Sequence, residues 1–211
     1  MTVVTAVTEV IKKKISKKTF FTKKISKEKK GPFLRYLIKK GNLKQVLVFT
    51  ASTYQADNVA NKLRKNGIVA KAIHGKNSQQ SRKNALQDFK EGRLRVLVAT
   101  DLLARGIDIE DLPYVINYEL PRSPKDYIHR IGRTGRAEQE GRSLLFYTDK
   151  EQQKKEDIEA LMNYKIPFLQ LPSEIEISKR LTPEEQPEIK EINNPHKASI
   201  VEERGASFHE K

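Results

Sequence analysis

A three-layer α/β sandwich around a parallel sheet of about five to six strands is the fold class predicted from this sequence. Three observations predict it. Short apolar runs recur along the middle of the chain, VLVFT at residues 46–50, RVLVA at 95–99 and SLLFY at 143–147. Stretches with apolar residues at helical spacing lie between such runs. The joins are short and carry capping residues or glycine, as strand–helix–strand units with right-handed crossovers require.

The elements follow in order. Residues 1–30 read as a basic arm or linker, with ten lysines and two glutamates between Glu9 and Lys30. Thr19, Phe20, Phe21 and Thr22 interrupt it and predict a short strand added to a sheet edge. Pro32 predicts the start of a helix, because its fixed φ suits a first helical position. Phe33, Leu34, Leu37 and Ile38 give that helix one buried face, and Gly41 ends it. Residues 46–50 are apolar throughout, as in a strand buried on both faces. Ser52 or Thr53 caps the next helix, Ala56, Val59, Ala60 and Leu63 line its inner side, and Gly67 stops it. Residues 69–73 predict a strand that leads into His74-Gly75. Ser78 caps another helix, with Ala85, Leu86 and Phe89 inward and Gly92 after it. Residues 95–99 and 114–117 predict two more strands. Ser123-Pro124-Lys125-Asp126 combines a cap, a proline at the first helical position and an acid at the third. Residues 143–147 predict the last strand, and Asp149 begins a helix ending near Lys165. The domain is thus expected over residues 31–166. Residues 167–211 are rich in Pro, Glu and Lys and predict a polar, disordered tail.

Composition fits one such domain with tails. Of 211 residues, 37% are apolar and 32% charged. Lys and Arg number 41 against 27 Asp and Glu, a formal net charge of +14. Such an excess favours polyanions through counterion release, although a solvated lysine-rich linker accounts equally well for the first 30 residues. Cysteine is absent. That excludes a disulfide framework, a thiolate zinc site and a cysteine nucleophile. No apolar run is long enough to span a membrane. The first residues place their apolar run before their charges, the wrong order for a signal peptide, so a cytoplasmic location is expected.

Ligands of parallel α/β sheets sit outside the carboxyl ends of the strands, and three polar clusters fall there. The first is YIHRIGRTGR, residues 127–136. Arg130, Arg133 and Arg136 recur at spacing three, with Gly132 and Gly135 between them. Guanidinium groups offer a rigid donor fork for phosphate oxygens and stay charged when desolvated. The window holds no carboxylate, so either a phosphate compensates these charges or Glu138 and Glu140 make a salt-bridged turn. The second cluster is ATDLLARGIDI, residues 99–109. Thr100 and Asp101 suit a sugar hydroxyl or phosphate, Asp108 suits a ribose or an arginine, and Asp101 equally suits a helix cap. The third is His74-Gly75 with Ser78, Gln79 and Arg82. Ser78 exposes helix N-terminal amides that can hold a phosphate, and Arg82 lies one turn in. His74 reads equally well as a hydrogen-bonded core histidine.

No G-x-x-x-x-G-K-[ST] loop occurs, and the four histidines (74, 129, 196 and 209) lack metal-ligand spacing. The chain has groups that sense phosphate but no cradle for a nucleotide.

At these motifs the chain resembles the second, C-terminal RecA-like domain of a DEAD-box RNA helicase, nearest the bacterial RhlE-like group. Besides the two strings above, HGKNSQQSRKNALQDFKEG (74–92) and VINYELPRSPKDY (115–127) carry the resemblance, which covers roughly residues 32–165. The resemblance implies that Arg133 and Arg136 reach the ATP γ-phosphate and that Asp108 contacts the ribose. It implies that His129 and Arg130 couple the nucleotide cleft to RNA. Thr100, Asp101, Arg105 and Gly106 then lie at the nucleic-acid backbone, and Gly75, Gln79 and Arg82 grip RNA phosphate. Leu103 departs from the small residue common in the family. ATP with Mg2+ would be held mainly by a preceding RecA-like domain absent from this sequence, none being bound tightly here and no metal by this domain's own residues. The chain is therefore expected to be a piece of a larger, monomeric helicase, inactive in ATP hydrolysis alone, with single-stranded or duplex RNA and that N-terminal domain as partners. Two alternatives stand beside this one: a superfamily 2 DNA helicase domain, and a stand-alone, non-enzymatic RNA-binding or partner-docking module.

Overall fold

In the computed structural model, the residues described are 18–101, 109, 111–135 and 141–169. The sheet among them has six strands, β1 (Lys18–Lys24), β2 (Val46–Thr50), β3 (Ala70–Ile73), β4 (Val96–Thr100), β5 (Tyr114–Asn117) and β6 (Gly141–Tyr147). Their order is β1-β6-β5-β2-β4-β3, every pair parallel. The helices are α1 (Lys27–Lys40), α2 (Thr53–Arg64), α3 (Gln79–Lys90), α4 (Pro124–Ile131) and α5 (Gln152–Met162), with a 3-10 turn over Asp149–Glu151 before α5.

Period-two alternation divides the strands between two cores. Val46, Val48, Val96 and Val98 face α1 and α2, meeting Phe33, Leu34, Ile38, Val59 and Leu63. Leu47, Phe49, Leu97 and Ala99 face the opposite way, onto Ala85 and Phe89 of α3. On that second face α4 and α5 cover the β6 end, packing Tyr127, Ile131, Ile158 and Met162 against Phe20, Leu145 and Tyr147. The sheet is thus sandwiched between helical layers, as its continuous apolar runs predict.

The aromatic pair in the basic arm belongs to the sheet. Phe20 is buried, and β1 pairs along the whole of β6. The outer side of β1 is engaged as well, Thr22 donating its N–H to Pro167 O at 2.8 Å and accepting from Leu169 N at 2.8 Å.

Several boundaries differ from the sequence reading. Pro32 lies inside α1, which begins at Lys27, so it is not the first helical residue. The proline is tolerated because the carbonyl it leaves without a donor is that of Glu28, in the exposed first turn. Gly41 ends α1 as expected but in a right-handed conformation, φ −75°, and Asn42 takes the positive φ of 45°. Gly41 is required for close approach instead, since a Cβ there would lie 2.6 Å from Leu37 O. The last helix begins with the 3-10 turn and stops at Met162, where Asn163 adopts φ 49°.

Candidate functional site

The apolar strands turn polar where they leave the sheet. Thr50 ends β2, His74 follows β3, Thr100 ends β4 with Asp101 directly after it, and Asn117 ends β5. These residues share one carboxyl edge, and the helices beginning or ending there bring the remaining polar groups to them.

Helix α4 supplies the central one. Ser123 caps it, its Oγ accepting from Asp126 N at 3.3 Å, and Pro124 occupies the first turn. The phase so set places Tyr127, Arg130 and Ile131 on the buried side. Arg130 is only 2% exposed, yet four of its five N–H donors are bonded. Its Nε and Nη2 donate to Asp101 Oδ1 and Oδ2 at 2.5 and 2.8 Å. Its Nη1 donates to Asn117 Oδ1 at 3.1 Å and to Glu119 O at 2.7 Å. The guanidinium carbon stands 4.9 Å from the centre of the Phe49 ring. A buried arginine needs an anion and acceptors for its donors, and this one has a carboxylate and two further oxygens. The counter-charge for the first arginine of the motif is therefore Asp101, 29 residues upstream.

Beyond α4 the chain turns through Gly132 and Arg133. Arg133 N donates to Arg130 O at 3.2 Å, and Arg133 O accepts from Leu112 N at 3.0 Å. Thr134 is buried and its hydroxyl donates to Leu112 O. Gly135 has φ 58°, a left-handed conformation that favours glycine. Gly141, opening β6, makes room for this turn, because a Cβ there would collide with Thr134 Oγ1 and with the backbone of Gly135. The half-buried Arg133 thus sits on a turn fixed from three sides. His129 is exposed in the last turn of α4. Arg136, Asp108, Arg105 and Gly106 lie outside the described residues.

The third cluster assembles around β3. His74 is buried, with Nε2 at 3.0 Å from Asp57 Oδ2 of α2 and its backbone N donating to Asn77 Oδ1 at 2.7 Å. The hydrogen-bonding reading of His74 therefore holds. Ser78 caps α3, accepting from Ser81 N at 3.2 Å. Gln79 is exposed and Arg82 half-buried. The Nε of Arg82 and Nδ1 of His74 are both buried without a hydrogen-bond partner among the described residues. Gly75 is exposed, and a Cβ added to it would meet nothing within 4 Å. Arg82 Nε carries an N–H with no acceptor, which suits an incoming anionic group, whereas His74, whose Nε2 faces the Asp57 carboxylate, is positioned by that bond.

Asn117, Glu119, Asp57, Phe49 and Gly141 were not singled out in the sequence. Asn117 left a legible signal, a polar residue closing an apolar strand. Glu119 did not: its carboxylate accepts from Ala51 N at 2.7 Å, a contact made only by folding. Among the described residues, no group of three or more His, Asp or Glu side chains stands close enough to hold a metal ion. No helix of the described residues is long and apolar enough to cross a membrane.

The Arg130–Asp101 clamp lies at the carboxyl edge of the sheet, but the glycine-flanked arginine turn does not lie where the sequence predicts: it sits at the amino edge, against Leu112 before β5 and Gly141 at the start of β6, because α4 runs back along the sheet. The parallel sheet with helices on both faces is a RecA-like fold. Residues 29–138, just over half of the chain, match the helicase conserved C-terminal domain. The ATP-dependent RNA helicase dbp2 of Aspergillus clavatus is 38% identical over 137 residues, which make up 64% of this chain and 25% of that protein. The solved C-terminal domain of the DEAD-box protein Dbp5 superposes with a TM-score of 0.62 at 33% identity, covering 69% of this chain and 83% of that one. A variant of Dbp5 from Saccharomyces cerevisiae, solved with RNA and ADP–BeF3, gives 0.67 at 31% identity over 72% of this chain and 41% of that one. The chain belongs to the helicase conserved C-terminal domain family, as the C-terminal RecA-like domain of a DEAD-box RNA helicase. It spans about a quarter of the length of the curated relatives it matches.

Proposed function

We propose that this domain forms half of an RNA-gripping, ATP-hydrolysing clamp, with Arg133 and Arg136 completing the nucleotide site and the His74–Arg82 region holding the RNA backbone. One observation carries this reading. The Arg130–Asp101 clamp locks the end of β4, with Thr100, to the helix whose last turn leads into Arg133. A group on the RNA side and a group on the ATP side are thereby parts of one rigid unit.

On this reading ATP is held mainly by a preceding domain, with which the Mg2+ also resides. The cation supplies charge neutralisation on the phosphates. Arg133 and Arg136 act as planar donors toward the γ-phosphate oxygens, where charge shifts as the phosphoryl group transfers. Asp108 reaches the ribose. Thr100, Gly75, Gln79 and Arg82 contact phosphates and sugar hydroxyls, so base preference is small. The affiliation with bacterial RhlE-like helicases rests on the wording of the motifs. The DNA-helicase and stand-alone readings are less well supported, because the relatives are named RNA helicases and match this chain over only about a quarter of their length.

The test is binding of labelled single-stranded RNA to this chain across a salt series, by fluorescence anisotropy. Binding should weaken steeply with salt, and Arg82→Ala should weaken it further. RNA-stimulated phosphate release by the chain alone, well above that of an Arg133→Ala control, would overturn the division of labour between domains.

A further inference from the structure

The carboxyl edge carries an aromatic group that the phosphate-gripping residues do not use. Tyr54 is 78% exposed, the most exposed large hydrophobic side chain among the described residues. Other aromatic side chains, such as Phe20, Phe33, Phe49, Phe89, Tyr127, Phe146 and Tyr147, are buried in the cores. Tyr54 is the second residue of α2, and helical side chains lean toward the helix N-terminus, which here lies at the carboxyl end of β2. Three residues on, Asp57 pairs with His74 at 3.0 Å. Residues three apart share a helix face, so this bond sets the side of α2 carrying Tyr54 toward the His74–Gly75 loop.

The two helices flanking that loop lie on opposite faces of the sheet. Helix α2 packs in the first core and α3 in the second. The α3 flank offers phosphate donors: the capped helix start, exposed Gln79 and the unpartnered Arg82 Nε. A strand whose phosphates face that flank turns its bases toward the other, where Tyr54 presents an aromatic face. Gly75, open above its Cα, leaves the strand room to pass between.

We infer that Tyr54 is a stacking platform for a nucleobase of the bound single strand, beside the phosphate gripped at Arg82. The inference rests on the reading of that cluster as the RNA site and extends it to the bases. Every base has a π face, so the contact adds affinity without sequence preference.

The experiment compares this chain with its Tyr54→Ala, Tyr54→Phe and Arg82→Ala variants. The probes are a labelled single-stranded oligoribonucleotide and an abasic one of equal length. Tyr54→Ala should lose on the order of tenfold in affinity for the ordinary strand and nothing for the abasic strand. Tyr54→Phe, which keeps the π face, should bind both like the unsubstituted chain. The chain has no Trp and seven Tyr, so tyrosine emission is observable, and the Tyr54 share of its quenching by the strand should vanish in Tyr54→Phe. An unchanged affinity in Tyr54→Ala, or an equal loss on both probes, overturns the inference while an Arg82→Ala loss leaves the RNA site standing. If Arg82→Ala binds both probes as well as the unsubstituted chain, the RNA site itself is misplaced and the inference fails with it.

Discussion

Arg130 and Asp101 face each other in a two-pronged ion pair, at 2.5 and 2.8 Å, with the arginine 2% exposed and the carboxylate at the rim. Removing the arginine strands Asp101 together with Asn117 Oδ1 and Glu119 O, and removing the carboxylate strands the buried arginine. We expect Arg130→Ala to lower unfolding stability by about 3 kcal/mol. Asp101→Asn keeps an acceptor in place and should cost less, about 1–2 kcal/mol. Urea denaturation of the three proteins measures both values, and near-identical midpoints would mean that the clamp contributes nothing to the fold.

The next prediction separates stability from chemistry. Arg133 sits half-buried on the turn after α4, outside the Arg130 pocket. In a helicase carrying this domain with its N-terminal partner, Arg133→Lys keeps the charge and loses the planar fork. Saturated, RNA-stimulated ATP turnover should fall on the order of 10²-fold, with RNA affinity nearly unchanged. Phosphate release at saturating ATP, alongside RNA anisotropy, reads both. A loss confined to RNA affinity would place Arg133 on the wrong ligand.

Gly141 supports that turn from below. A methyl group there meets the backbone of Gly135, which cannot rotate away as a flexible side chain could. Gly141→Ala should cost roughly 1–3 kcal/mol of stability through overpacking. The shift should be visible in the thermal midpoint, and amide signals of residues 133–135 should move in an NMR spectrum. Unchanged signals would show that the turn has slack.

Acid should act through α5. Burial of the Glu159 carboxyl opposes its ionisation, but bonds from Lys155, from Ile166 N at 3.0 Å and from Lys165 outweigh this and hold its pKa below the usual 4.5. Burial likewise opposes ionisation of Glu151, and Thr148 and Lys30 reverse it. A carboxyl with a lowered folded-state pKa contributes stability that is present above the unfolded value. That stability is lost as pH falls through the folded pKa. Stability should therefore decline below about pH 4.5, toward the lowered values. Glu159→Gln should be less stable at neutral pH and lose less on acidification. Denaturation series between pH 7 and pH 3 give the slopes, and equal slopes would assign the acid response elsewhere.

The elements and the family were legible in the sequence because both rest on local patterns. Runs such as residues 46–50 cannot be anything but buried strands in a chain this rich in caps, and Ser52, Ser78 and Ser123 each cap the helix they announce. The arginine motif shows phosphate chemistry through residue type alone. Even the β1 edge strand was signalled, by a Thr-Phe-Phe-Thr run too apolar for a linker. What no local pattern carries is partnership across the chain. Asp101 and Arg130 are 29 residues apart, and Gly141 matters only because Gly135 presses on it. The three arginines look alike as letters, but helix phase buries Arg130 against Phe49 and leaves Arg133 on the turn beyond. Parallel pairing, with β4 beside β2 and β5 on the other side of β2, brings the strand ends into one edge, where Arg130 meets Asp101 and His74 meets Asp57. The physical reason is one of range. Caps, turns and apolar periods act over a few residues, whereas desolvating a charge depends on whatever the fold packs around it.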